Sequence, residues 1–102
     1  LPLTLFPYTT LFRSQSIIVT LGSTGVFINH ANKQEFIEGH NVEAVDTTGS
    51  GDCFLGALAS SLVKNENLFD AAAYANKAAA LSVTKKGASA SMPTHQDVLK
   101  FL

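Results

Sequence analysis

Tryptophan is absent from this 102-residue chain, and cysteine and methionine occur once each. A lone cysteine, Cys53, excludes an internal disulfide and any CxxC metal or redox motif. It reads instead as a small buried hydrophobe. Charge is scarce as well: 7 Lys and Arg stand against 8 Asp and Glu, a formal net charge of −1. Such a balance gives no footprint for nucleic acid or an anionic membrane. The adjacent basic pair, Lys85 and Lys86, suits a solvated helix end. No apolar stretch approaches the ~20 residues of a membrane span. His30, His40 and His95 lack metal-ligand spacing and read as polar surface positions. The expected setting is the cytoplasm, with small-molecule partners, no nucleic acid and no membrane.

What is present has a clear order. Residues 16–21, SIIVTL, form a β-branched run ending at Gly22, read as a buried strand of a parallel or mixed sheet. Gly22-Ser23-Thr24-Gly25 is a turn signal, and extended structure resumes in VFIN, residues 26–29. Two further short strands are expected at 35–39, EFIEG, and 41–45, NVEAV, giving a meander at a sheet edge. The period then changes. Phe54, Leu58 and Leu62 recur every four residues, predicting a helix with a broad apolar face. Asn67 and Asp70 have capping spacing for a second, alanine-rich helix over 68–85, which should pack closely with its neighbours and contain Tyr74 in the core. Gly87 suits a left-handed cap after that helix, and Thr94 with Asp97 predicts a capping box for a last helix, HQDVLKFL. Strands followed by long helices make an α/β element order.

Chemistry concentrates in residues 45–54, VDTTGSGDCF. A strand running through glycines into a helix presents unpaired N–H groups ahead of a positive dipole end, a match for phosphate. Gly49, Ser50, Gly51 and Asp52 can supply those groups. A tight strand–helix connection without a ligand would use the same residues. The P-loop is excluded, because Asp52-Cys53 stands where Lys-Ser or Lys-Thr is needed. The dinucleotide fingerprint fails at Phe54, where its third glycine would fall. Asp52 opposes an anion unless it meets the other reactant. As a carboxylate it can take the proton of an attacking hydroxyl while the amides hold charge on a phosphoryl group.

Residues 45–58, VDTTGSGDCFLGAL, resemble the signature of the ribokinase-like carbohydrate kinases, the PfkB family. Residues 20–25, TLGSTG, are similar to that family's nucleotide-binding segment, and residues 78–93, AAALSVTKKGASASMP, to its closing segment. The resemblance covers about 16–102 and implies the C-terminal portion of a ribokinase-like α/β fold, part of a mainly parallel sheet with packed helices. It implies ATP-dependent phosphorylation of a sugar hydroxyl, with Asp52 as base and sugar contact and Gly49, Ser50, Gly51 and Asp52 as the anion hole. Thr20, Leu21, Gly22, Ser23, Thr24, Gly25, Gly51, Asp52 and Asn76 would line the ATP site. Magnesium would accompany the nucleotide. Potassium would lie at Asp46, Thr48, Ser82, Lys85, Gly87 and Ser91, several through backbone carbonyls. Each position also has a plain reading: Asp46 caps the turn, Asn76 sits on a helix surface, and Ser82 and Ser91 are ordinary small residues.

Ribose is the preferred substrate of that reading, because VTKKGA after an alanine-rich helix looks most like ribokinases. Fructokinases and adenosine kinases share the central signature, and a fragment that binds ATP without catalysing transfer by itself is the other reading. The resemblance further implies a homodimeric parent protein. The first fourteen residues differ in character. Residues 4–14, TLFPYTTLFRS, are similar to the in-frame translation of a common sequencing adapter, so 1–14 is expected to be non-native and 15–102 to be the kinase part.

Overall fold

The computed structural model describes residues 16–64, 67–87 and 92–101. The adapter-like segment, residues 1–14, lies outside them, as does Ser91. Strands β1 (Ser16–Thr20), β2 (Gly25–His30) and β3 (Lys33–Glu38) form an antiparallel sheet in the order β1-β2-β3. Pairing runs from Ser16↔His30 to Thr20↔Val26, and from His30↔Lys33 to Gly25↔Glu38. Ala31 and Asn32 join β2 to β3 with φ of 50 and 66, the two positive dihedrals that a tight hairpin demands. The meander is as expected. The parallel or mixed pairing is not found among the described residues, and β1 is an only half-buried strand paired on one side with β2.

Residues 41–45 also differ from expectation: they form no strand. The Val45 N–H donates to the Val83 carbonyl oxygen at 2.7 Å, and the Asp46 N–H to the same oxygen at 3.1 Å. Those amides cap a helix end and are not available for a ladder. Helix α1 (Ser50–Val63) follows, then α2 (Leu68–Ser82) and α3 (His95–Lys100). Asn67 accepts from the Asp70 N–H, and the Thr94–Asp97 capping box is complete, so both sequence-level helix starts hold.

Helix α2 ends at Ser82, three residues before the expected Lys85. The Val83 carbonyl is turned to the incoming 45–46 backbone instead of the next helical N–H. Gly87 has φ 93 but is too far along to cap that helix, and its N–H serves Asp46. The core lies between sheet and helices. Val26 and Ile28 of β2 meet Phe54 of α1 and Ala72 and Ala75 of α2, all buried. Alanines let α2 approach closely, and Tyr74 is half-buried with its hydroxyl 2.6 Å from His95 Nδ1. Cys53 packs with Ala78 and Val98 in a second cluster. The apolar face of α1 is only half used: Phe54 is buried, whereas Leu55, Leu62 and Val63 are exposed. Among the described residues no helix is long and apolar enough to cross a membrane.

Candidate functional site

Two glycine turns border one cleft. The first joins β1 to β2 as a single 3-10 turn, Gly22–Thr24. Gly22 (φ 58) and Gly25 (φ 134) take conformations that side-chain-bearing residues avoid. Leu21 N–H donates to the Gly25 carbonyl at 2.8 Å, and Gly39 N–H donates to the Thr24 carbonyl at 2.9 Å. The second turn leads into α1. Gly49 is its N-cap at φ 79, with no side-chain cap. The Ser50 N–H donates to the Thr47 carbonyl at 3.2 Å. Among the described residues the N–H groups of Gly49, Gly51 and Asp52 have no hydrogen-bond partner. Three bare amides at a helix start, with the dipole behind them, are free to receive an anion. Of the four residues assigned to an anion hole, three have unpartnered amides, the Ser50 amide being spent on the turn.

Asp52 lies in the first turn of α1 and is exposed. Asp46 does something different. Its Oδ1 accepts the Thr48 N–H at 2.9 Å and its Oδ2 the Gly87 N–H at 2.9 Å. Hydrogen bonding from the Thr48 side chain, then from the Gly87 and Thr48 backbone N–H groups, lowers its pKa to about 2. Asp46 therefore stays anionic and holds two loops together. Both the turn-capping reading and a cation-holding role are compatible with that position. Of the other residues assigned to potassium, Ser82 is buried and donates to the Ala79 carbonyl at 2.7 Å, and Lys85 is exposed. No group of three or more His, Cys, Asp and Glu suited to a metal occurs among the described residues.

The cleft has a volume of about 250 Å³. Thr20, Gly22, Ser23, Gly25, Gly51 and Asn76 line it, as the sequence reading expected of an ATP site. Leu21, Thr24 and Asp52 are not among its lining residues. Asn76 is 6% exposed, not a surface position, and its Nδ2 donates to the Glu38 carbonyl at 2.9 Å. That bond clips α2 to the end of β3. Sequence reasoning missed Val42, Ala44, Ala79, Ala80 and Val83, which give the cleft its apolar wall, and His40 beside them. Alternation of small apolar residues at 42 and 44, facing an alanine-rich helix, was the available signal. His40 is half-buried, not a plain surface residue, and meets Phe101 edge-on with ring centroids 5.0 Å apart. Burial, then the Lys77 charge, lowers its pKa.

The meander, the bare amides and the close-packed α2 define an α/β unit with unpaired helix-start amides beside an apolar cleft. The family model for pfkB family carbohydrate kinases matches residues 9–95, and the chain belongs to that family. It is 42% identical over 88 residues to a ribokinase of Haemophilus influenzae, covering 86% of this chain and 29% of that protein. Among solved structures it is similar to an Arabidopsis thaliana ribokinase complexed with ribose and ATP. There the TM-score is 0.78 and the identity 35%, over 84% of this chain and 28% of the other. It is also similar to a double mutant of the Vibrio cholerae fructokinase in its fructose-, ADP- and potassium-bound form. That match has a TM-score of 0.86 and 31% identity, over 95% and 33% of the two chains. These likenesses support the ribokinase-like α/β fold. The chain spans only 27% to 35% of the length of the curated ribokinases it matches.

Proposed function

We propose that this chain is the nucleotide-side, catalytic part of an ATP-dependent sugar kinase, with D-ribose as acceptor and D-ribose 5-phosphate and ADP as products. The observation that carries this reading is the row of unpaired amides at Gly49, Gly51 and Asp52, of which Gly51 lines the cleft, with a carboxylate on the same helical turn. The Asp52 carboxylate takes the proton as the sugar oxygen attacks the γ-phosphorus, and the bond from that phosphorus to the bridging oxygen of ADP breaks. The three amides meet the charge that spreads over the transferring group, each worth roughly 3 kcal/mol in the transition state. Fixed in the backbone, they need no reorganisation at the moment of reaction.

In this reading residues 15–102 are the C-terminal, nucleotide-binding part of a cytoplasmic, homodimeric kinase, and 1–14 is foreign. Magnesium, held by the nucleotide phosphates, would supply charge neutralisation there. The Asp46 carboxylate, anionic and joined to the Thr48 and Gly87 N–H groups, would be the charged ligand of a hard monovalent cation such as potassium. Fructose is a second acceptor that the fructokinase likeness favours.

The test uses the full-length protein that carries these residues. Asp52→Ala is expected to lower turnover at least ~100-fold, the loss of a general base, while ADP affinity stays within about threefold. Unchanged turnover would remove the catalytic assignment. A wild-type enzyme that ignores ribose and phosphorylates fructose would keep the chemistry and change the substrate.

A further inference from the structure

The cleft has two distinguishable ends, and the distance between them decides what each can hold. The second turn is tied to the C-terminal end of α2 through the Val45 and Asp46 amides on the Val83 carbonyl. The segment carrying His40 is tied one helical stretch earlier, where Asn76 holds the Glu38 carbonyl. Seven residues of α2 separate those clips, about 10 Å along a helix axis. An anion at the bare amides therefore leaves the far end of the cleft for the rest of the ligand. For a nucleotide, whose phosphates and base lie at opposite ends, the base falls beside His40.

The groups at that end are mostly committed. Asn76 Nδ2 is bonded to Glu38, and the Gly39 N–H to the Thr24 carbonyl. Of the two rings that line the cleft, Phe54 is packed into the core at 4% exposure. His40 is half-buried, and neither of its ring nitrogens has a hydrogen-bond partner among the described residues. Phe101, just beyond α3, meets the ring edge-on and limits its rotation. Burial and Lys77 on α2 both disfavour a charged imidazole, so a neutral aromatic face is presented.

We propose that His40 is the base-contacting ring of this cleft, and that Phe101 is a positioning residue that holds it. The proposal rests on the nucleotide reading above and adds to it a contact that depends on the base alone. A ring stacked on a base contributes nothing to a ligand that has phosphates but no base.

The experiment exploits that difference. ADP and inorganic tripolyphosphate are titrated separately into the full-length protein and its variants, with melting curves recorded alongside. His40→Ala is expected to weaken ADP on the order of tenfold and leave tripolyphosphate unchanged. His40→Phe, which keeps a ring, should retain ADP affinity, and His40→Gln should not. Phe101→Ala should weaken ADP alone, with recovery in Phe101→Tyr. Equal ADP affinity in wild type, His40→Ala and His40→Gln overturns the proposal. So does an equal loss of both ligands in His40→Gln, which would mark a structural role. A wild-type protein that binds tripolyphosphate but not ADP overturns the nucleotide reading itself, a result read before any variant is made.

Discussion

The two glycine turns face one cleft but are built on opposite terms. At the first, a Cβ on Gly25 would fall inside van der Waals contact of the Ile37 carbonyl oxygen, and one on Gly39 would meet the Ser23 carbonyl oxygen. These glycines are there because two backbones touch. At the second, a Cβ on Gly51 would find no atom within 4 Å. Its environment is open space next to unpaired amides. At Gly25 and Gly39 the space is closed by the protein's own backbone, whereas at Gly51, as at Gly22, it is open. Glycine content alone, equal in both, would have hidden that difference.

The contrast is sharpest for a single added methyl group at Gly25. Its φ of 134 excludes most side chains, and the clash is with backbone that cannot swing aside. Gly25→Ala should therefore destabilise the fold by about 3 kcal/mol, the upper range for a strained backbone site. Urea unfolding of the full-length protein measures it. A loss below about 1 kcal/mol would mean that β2 and β3 separate easily there, and the first turn would be as open as the second.

Acid should also part the two regions. The His40 pKa lies below its ordinary 6.5, so the unfolded chain binds a proton there more readily than the folded one. Stability on that side begins to fall as the pH drops below 6.5. The folded Asp46 carboxyl, at about 2 against an ordinary 3.8, contributes stability that is complete above 3.8 and is lost as the pH falls toward 2. Hydrogen exchange checks it. The Gly87 and Thr48 amides, both donors to Asp46, should stay protected at pH 5 and lose protection below pH 3.8. Asp46→Asn should remove that step for Gly87. Loss of Gly87 protection already near pH 6 would tie the second turn to His40 and dissolve the distinction.

Much of this was legible in the chain. The change of period expected at Gly51, the Asn67–Asp70 cap and the Thr94–Asp97 box are local signals, and all three are realised, the helix starting one residue earlier at Ser50. The unpaired amides at the start of α1 were legible because glycine, helix start and Asp52 are neighbours in sequence. The failures are non-local. Residues 41–45 have strand-like composition, but the Val45 amide, with that of Asp46, is claimed by the Val83 carbonyl at a helix end about forty residues away. Gly87 looks like a helix cap until Asp46 is seen to hold its N–H. His40 looks exposed until Phe101 is placed against it. Asn76 is polar on an alanine-rich helix, and only the Glu38 carbonyl explains its burial.

The smallest expected effect falls on Gly51, where the two turns differ most in kind. Residue 51 is the second residue of α1, and nothing in the fold occupies the space a methyl group would fill. Replacing a helical glycine by alanine reduces the freedom of the unfolded chain and raises helix propensity, a gain of up to about 1 kcal/mol. Gly51→Ala should thus melt no lower than wild type, the reverse of Gly25→Ala. The same methyl group stands where a phosphate would approach the amide, so tripolyphosphate and ADP should both bind more weakly. A variant that is more stable and binds less tightly would show that this glycine serves the ligand at the expense of the fold. If Gly51→Ala instead destabilises and leaves both ligands untouched, the open space beside α1 has a structural role, and the bare amides would have to be read as an unfilled cap.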